Sequence, residues 1–117
     1  MYKEDKMKIS KELLKGSTSI MVLKVISEGD CYGYQIIQKI AQRSGEVFRL
    51  NEGTLYPILH TMEKEGYLDS YRRESEAGRE RKYYTITAQG KLQLAARMEE
   101  WTAYTEAVGG VLSGGSV

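Results

Sequence analysis

The stretch Asn51–Thr87, NEGTLYPILHTMEKEGYLDSYRRESEAGRERKYYTIT, constrains this chain more than any other part of it. Asn51 stands where an N-cap belongs, its side-chain oxygen able to accept from an otherwise orphaned first-turn N–H. Leu55, Ile58, Leu59 and Met62 follow at i, i+3, i+4 and i+7, the spacing of one buried helical stripe. Gly66, directly after Glu65, supplies a left-handed stop. Pro57 lies inside this helix, where it cannot donate to the Gly53 carbonyl and its ring crowds that group, so the first turn should tighten or kink. A start with Thr54 as the cap, and Pro57 in the first turn, fits the pattern equally.

Two strands follow, Tyr67–Arg73 and Arg81–Thr87, joined by a polar loop that holds Gly78, as a hairpin longer than two residues requires. Tyr67, Leu68, Tyr83, Tyr84 and Ile86 are the apolar positions that would anchor the hairpin to the helices. From Arg72 to Lys82 five cations (Arg72, Arg73, Arg79, Arg81, Lys82) meet three glutamates. That excess is modest, and its position after a capped helix is what gives it meaning. A helix followed by a basic hairpin is the reading unit of a winged helix-turn-helix, the helix entering a DNA groove and the hairpin gripping the backbone. On the helix, Tyr56, His60 and Lys64 share the face opposite the stripe, with Gly53 towards its start. Taken alone this is an ordinary solvated face. With the hairpin beside it, Asn51, Gly53, Thr54, Tyr56, His60 and Lys64 become candidates for DNA contact, and the helix N-terminus adds N–H groups for a phosphate. Arg79, Arg81 and Lys82 are the hairpin's candidates.

The remaining helices lie on either side. Ser10 to about Glu28 reads as one helix, with Leu13, Leu14, Ser17, Ile20, Leu23 and Ile26 at three- and four-residue steps and Gly29-Asp30 ending it. Gly33–Ser44 reads as a second, with Ile36, Ile37 and Ile40 inward and Gly45 closing it. With the reading helix it forms the helix-turn-helix, and its Tyr34, Gln35 and Lys39 are candidates for phosphate. After the hairpin, Thr87 caps a final helix to about Val108. Leu94, Met98, Trp101, Thr105 and Val108 step by four, three, four and three, a heptad seam that suits another helix and points to a two-fold homodimer. The glycine-rich tail from Gly109 is expected to fray. The fold class is therefore mainly α with a small β-hairpin (α+β). A winged helix-turn-helix spans 10–87, a dimerisation helix 88–108 and a flexible tail 109–117.

Composition removes other classes. At 117 residues the chain suits one domain with a small core. With single copies of histidine (His60) and cysteine (Cys31) there is no cluster for a metal or a catalytic constellation, and no phosphate-cradling glycine signature occurs. The expectation is no enzyme and no cofactor. Cys31 reads as a small buried hydrophobe, a redox-sensing thiol being the alternative. The start MYKEDKMKIS has no apolar signal segment and no aliphatic run approaches a membrane span, so a soluble cytoplasmic protein is expected. A net charge of +1 is compatible with DNA binding, since a local basic face suffices.

The segments CYGYQII, NEGTLYPILHTMEKEGYL and GRERKYYTIT resemble the PadR family of bacterial transcriptional regulators, over roughly Lys11 to Val108. The short length and single C-terminal helix look like its small-protein subfamily. That resemblance implies a homodimer built from the first and last helices on an inverted-repeat operator. In drug-binding members a tryptophan of the last helix sandwiches planar aromatic compounds, and Trp101 occupies the matching place. By the same resemblance the pore-side positions are Leu13, Gly16, Ser19 and Ile20. Thr105 stands where a drug binder has an acidic residue, which weakens any preference for cations. Two function classes follow: a DNA-binding repressor relieved by a planar aromatic ligand, and a winged-helix protein–protein module, since fold does not fix function. The arginines of the hairpin and Gly53-Thr54 at the reader's start favour DNA.

Overall fold

The computed structural model describes residues 8–114. In chain order it contains α1 (Lys11–Lys15), α2 (Thr18–Ser27), β1 (Cys31–Tyr32), α3 (Gly33–Arg43), α4 (Glu52–Lys64), β2 (Leu68–Glu74), β3 (Glu80–Ile86) and α5 (Ala88–Leu112). The architecture is mainly helical with one antiparallel sheet of order β1-β3-β2, a winged helix-turn-helix carrying a long C-terminal helix.

The first expected helix is in fact two. Ser10 caps α1 through its hydroxyl, but the chain breaks at Gly16 and restarts from Ser17. The run GSTS is poor in helix formers, and its hydroxyls bond to the backbone instead: Thr18 Oγ1 donates to the Leu14 carbonyl at 2.8 Å. The hairpin also gains a third strand. Cys31 and Tyr32 pair with Tyr84 and Tyr83, a two-residue bridge too short for any periodicity to announce.

The reading helix begins at Asn51, whose Oδ1 accepts from Thr54 N at 2.9 Å, so the alternative start at Thr54 does not occur. Thr54 N also lies 3.2 Å from the Asn51 carbonyl, a three-residue bond that tightens the first turn, while α4 runs unbroken through Pro57. Gly66, at φ +86°, turns the chain into β2. Thr87 closes the sheet and starts α5 at once, its hydroxyl donating to the Gly66 carbonyl at 2.7 Å and accepting from Gly90 N at 2.9 Å. Gly90 is obligatory here, because a Cβ would fall 2.2 Å from the Tyr67 carbonyl. α5 then continues through Gly109 and Gly110 to Leu112, past the expected end near Val108.

The core is one cluster: Val22, Leu23, Val25 and Ile26 of α2, Ile36 and Ile40 of α3, Leu55, Leu59 and Met62 of α4, with Cys31, Leu68, Tyr84 and Leu94. Leu55 and Leu59 are fully buried, and each such side chain contributes roughly 1.5–3 kcal/mol. They fix which face of α4 turns outward.

Candidate nucleic-acid interface

With Leu55, Leu59 and Met62 held in the core, α4 presents Gly53, Thr54, His60 and Lys64 to solvent. Asn51 is occupied as the cap. Gly53 is exposed and needs no left-handed backbone; its missing side chain leaves the outer surface of the first turn open. The Tyr56 ring leans over α3, and a Cβ at Gly33 would overlap its hydroxyl. It touches α3 at its hydroxyl end yet is 42% exposed, so it stands at the edge of the face from which Thr54 and His60 project.

The sheet has two chemically distinct faces, because side chains alternate along each strand. Ser70 and Arg72, with Tyr84 and Lys82 opposite, share the face turned to α4. Glu63 of α4 is the fastening point, accepting from Ser70 Oγ at 2.5 Å and lying 3.7 Å from Lys82 Nζ. Lys82 also sits over the Tyr84 ring at 5.4 Å. Burial pushes the Tyr84 phenol up, and the Glu63 charge adds to it. Lys82, expected at a phosphate, is exposed and also lies within ion-pair distance of α4. Arg72 on the same face has no ion-pair partner among the described residues. The expectations omitted it from the site, although counting by twos from the buried Leu68 places it there.

The opposite face holds Tyr71, Arg73, Tyr83 and Arg81, joined by Tyr32 of β1. Tyr83 stacks on Tyr71 at 5.7 Å between centroids and meets Tyr32 edge-on at 5.3 Å. Arg73 lies 4.2 Å over Tyr83, and Arg81 lies 4.8 Å over Tyr32. Tyr71 donates to Asp30 Oδ2 at 2.6 Å, which ties β2 to the α2–β1 turn and raises the phenol's pKa. Arg81 is half-buried on this face, whereas Arg79 is exposed at the loop beside Gly78.

Of the three α3 candidates, Tyr34 is exposed without a side-chain partner among the described residues. Gln35 turns back so that its Oε1 accepts from Tyr32 N at 3.2 Å. Lys39 reaches inward to 3.6 Å from Cys31 Sγ. Both were expected at phosphates, and both are drawn to the protein because α3 follows β1 without a linker. Cys31 is fully buried as expected of a small hydrophobe, and desolvation pushes its thiol up.

The residues expected at a dimer and ligand face divide similarly. Leu94 lies in the chain's own core, 7% exposed, because the first turns of α5 pack on α2 and β3. Met98, Trp101 and Val108 are 42%, 42% and 37% exposed, and Leu13 is 69% exposed. Thr105 is also exposed, its hydroxyl turned back to the Trp101 carbonyl at 3.0 Å. Trp101 separates two clefts. One, of about 400 Å³, is bounded by Leu13, Leu14, Ile20, Met21 and Phe48. The other, of about 350 Å³, is bounded by Glu12, Gly16, Ile20, Arg97 and Tyr104. Ser19 is absent from both; it lines a third cleft of about 410 Å³ against Pro57 and Ile58. Among the described residues, no group of acidic, histidine or cysteine side chains could hold a metal, and no helix is long and apolar enough to cross a membrane.

Comparison with known proteins converges on one family. The model of the transcriptional regulator PadR-like family matches residues 22–96. A transcriptional regulator of Mycobacterium tuberculosis is 30% identical over 106 residues, covering 91% of this chain and 92% of that protein. The structure of a transcriptional regulator from Clostridium thermocellum superposes with a TM-score of 0.78 at 33% identity, covering 86% of this chain and 95% of that one. A PadR-like transcriptional regulator from Bacillus cereus gives a TM-score of 0.76 at 31% identity, covering 87% and 97%. With its capped reading helix and cationic wing, this chain belongs to the PadR-like family of transcriptional regulators.

Proposed function

We propose that the chain is a DNA-binding repressor, working as a homodimer on an inverted-repeat operator and relieved by a flat aromatic molecule seated at Trp101. The observation that carries the DNA reading is the continuity of one surface. The exposed side of α4, with Thr54, His60 and Lys64, adjoins the wing face that bears Arg72. Glu63 fastens the two parts together, so they meet a duplex as one body. In this arrangement α4 enters the major groove, where Thr54 and His60 reach base edges. Arg72 and Arg79 take phosphates, giving affinity and register rather than sequence information.

The homodimer rests on the exposed apolar side chains of α1 and α5: Leu13, Met98, Trp101, Tyr104 and Val108. A second copy would cover them. The effector rests on Trp101, whose indole is half-exposed between an apolar cleft and one of mixed lining and lies 6.2 Å from the Tyr104 ring. Offset stacking of a flat guest there is worth roughly 0.5–1.5 kcal/mol per face beyond area burial.

A gel shift with the region upstream of the protein's own gene tests the reading. The expected result is a specific complex that Thr54→Ala and His60→Ala weaken and that a planar dye dissociates. The same dye should quench Trp101 fluorescence saturably. A complex unaffected by both substitutions contradicts the DNA face, and non-saturable quenching leaves Trp101 as packing.

A further inference from the structure

Phe48, the chain's single phenylalanine, belongs to the link between α3 and the reading helix. It is half-buried, packs against the hydrophobic core, and borders the same cleft of about 400 Å³ as Trp101. Apart from Ser17, every side chain lining that cleft is apolar. The second cleft beside the indole, bounded by Arg97 and Tyr104, does not reach Phe48. The link itself is strained. Gly45 and Glu46 stand at φ +62° and +69°, the second a left-handed backbone on a residue that carries a side chain. Such strain persists only where the surroundings impose it, and it gathers at switch segments. Here α3 imposes it: Glu46 N donates to the Ala41 carbonyl at 2.7 Å, and Phe48 N donates to Ser44 Oγ at 3.0 Å. Ser44 Oγ in turn donates to the Ala41 carbonyl at 3.2 Å. Beyond Phe48 lie Arg49, Leu50, which packs against the core, and then Asn51, whose side chain accepts from Thr54 N. A shift of Phe48 thus has two residues to cross before it meets the cap of the reading helix.

We propose that Phe48 transmits occupancy of the apolar Trp101 cleft to the reading helix. A flat aromatic guest in this cleft displaces the Phe48 ring, the strained link relaxes, and Asn51 with Thr54 leaves the position that base contact needs. The guest favours the displaced state because it buries more apolar surface once the ring has moved, and a ligand shifts an equilibrium only through such a difference. Phe48 is a positioning residue, acting on DNA through α4. The inference rests on the effector reading and adds its route: of the two clefts beside the indole, the one that Phe48 borders is the one the reading helix senses.

Because phenylalanine and tryptophan each occur once, fluorophenylalanine and fluorotryptophan place one fluorine probe at Phe48 and one at Trp101 in the full-length protein. The protein, also labelled to show the Thr54 amide, is titrated with an acridine dye and followed by NMR. The expected result is that both fluorine signals shift saturably with one dissociation constant and the Thr54 amide follows them. In Phe48→Leu the fluorotryptophan should still saturate while the Thr54 amide stays in place. The dye's weakening of binding to the region upstream of the protein's own gene, on the order of 5–150-fold for an allosteric coupling, should fall towards no effect in that variant. By linkage, the DNA should lose its effect on dye affinity equally. Saturation of the fluorotryptophan alone, with Phe48 and Thr54 unmoved, overturns the proposal and leaves the effector reading standing, with the guest in the cleft beside Tyr104. Full coupling retained in Phe48→Leu overturns it as well. Saturation of neither fluorine removes the effector reading and this inference with it. Shifts at all three positions in a protein that binds no DNA remove the DNA reading and leave the route in place.

Discussion

Gly33→Ala tests the packing that sets the reading helix against its support. A Cβ at Gly33 would sit 2.3 Å from the Tyr56 hydroxyl oxygen and 2.8 Å from the ring carbon that bears it, where ordinary contact begins at 3.4 Å. The overlap is with the far end of a side chain that is 42% exposed, so the ring can swing outward instead of the core yielding. Overpacking of this kind costs about 1–3 kcal/mol, offset by up to about 1 kcal/mol from alanine's better helix propensity. The expected net destabilisation is therefore about 0–3 kcal/mol. In a Tyr56→Ala background nothing remains to clash, and Gly33→Ala should be neutral or stabilising. Urea unfolding of the four proteins of this cycle, at one protein concentration so that self-association is matched, gives the coupling energy. An equal effect of Gly33→Ala in both backgrounds would refute the contact of Tyr56 with α3.

Further outcomes follow from the same geometry. Met98→Lys with Val108→Lys should give folded monomers by sedimentation, since both residues are exposed in the single chain; a dimer of unchanged stability would place the interface elsewhere. Glu63→Gln releases Lys82 for phosphate, so binding to random DNA should tighten and its log–log salt slope steepen by about 0.9, while preference for the operator falls. A slope that stays the same would show that Lys82 is not restrained by Glu63. The hydrogen bond from Tyr71 to Asp30 raises the phenol's pKa in the folded state. Its contribution is full below the unfolded tyrosine value of about 10 and is lost as pH rises through the higher folded value. Urea melts of Tyr71→Phe should accordingly fall less steeply above that pH than those of the wild type; parallel curves would discount the bond.

What the sequence displays well is what depends on local periodicity and capping. Asn51, Leu55, Leu59, Met62 and Gly66 announce α4 at both ends and along its buried side. The wing is equally legible, because two tyrosine-bearing segments flank a polar loop that holds Gly78. What the sequence does not display is tertiary. Nothing near Leu94 in the sequence says that the first turns of α5 fold back onto α2, and a heptad count therefore carries it into the wrong interface. Gln35, Lys39, Lys82 and Arg81 each look like free polar groups in one dimension. In the fold each finds a neighbour distant in sequence or drawn close by a tight junction. The break at Gly16 was legible in principle, since GSTS is a weak helical stretch, but the hydrophobic steps on either side mask it. Arg72 was recoverable from strand alternation alone.

The central claim is that α4 and the wing face bearing Arg72 read an operator as one surface, twice over in a dimer. Hydroxyl-radical footprinting of the region upstream of the protein's own gene tests it most directly. The account predicts two-fold symmetric protection, with half-site centres about 10 bp apart or a multiple of that spacing. Arg72→Ala should weaken protection without moving it, and Thr54→Ala with His60→Ala should abolish it. Protection confined to one unsymmetrical site, or unchanged when all three residues are replaced, would contradict the account.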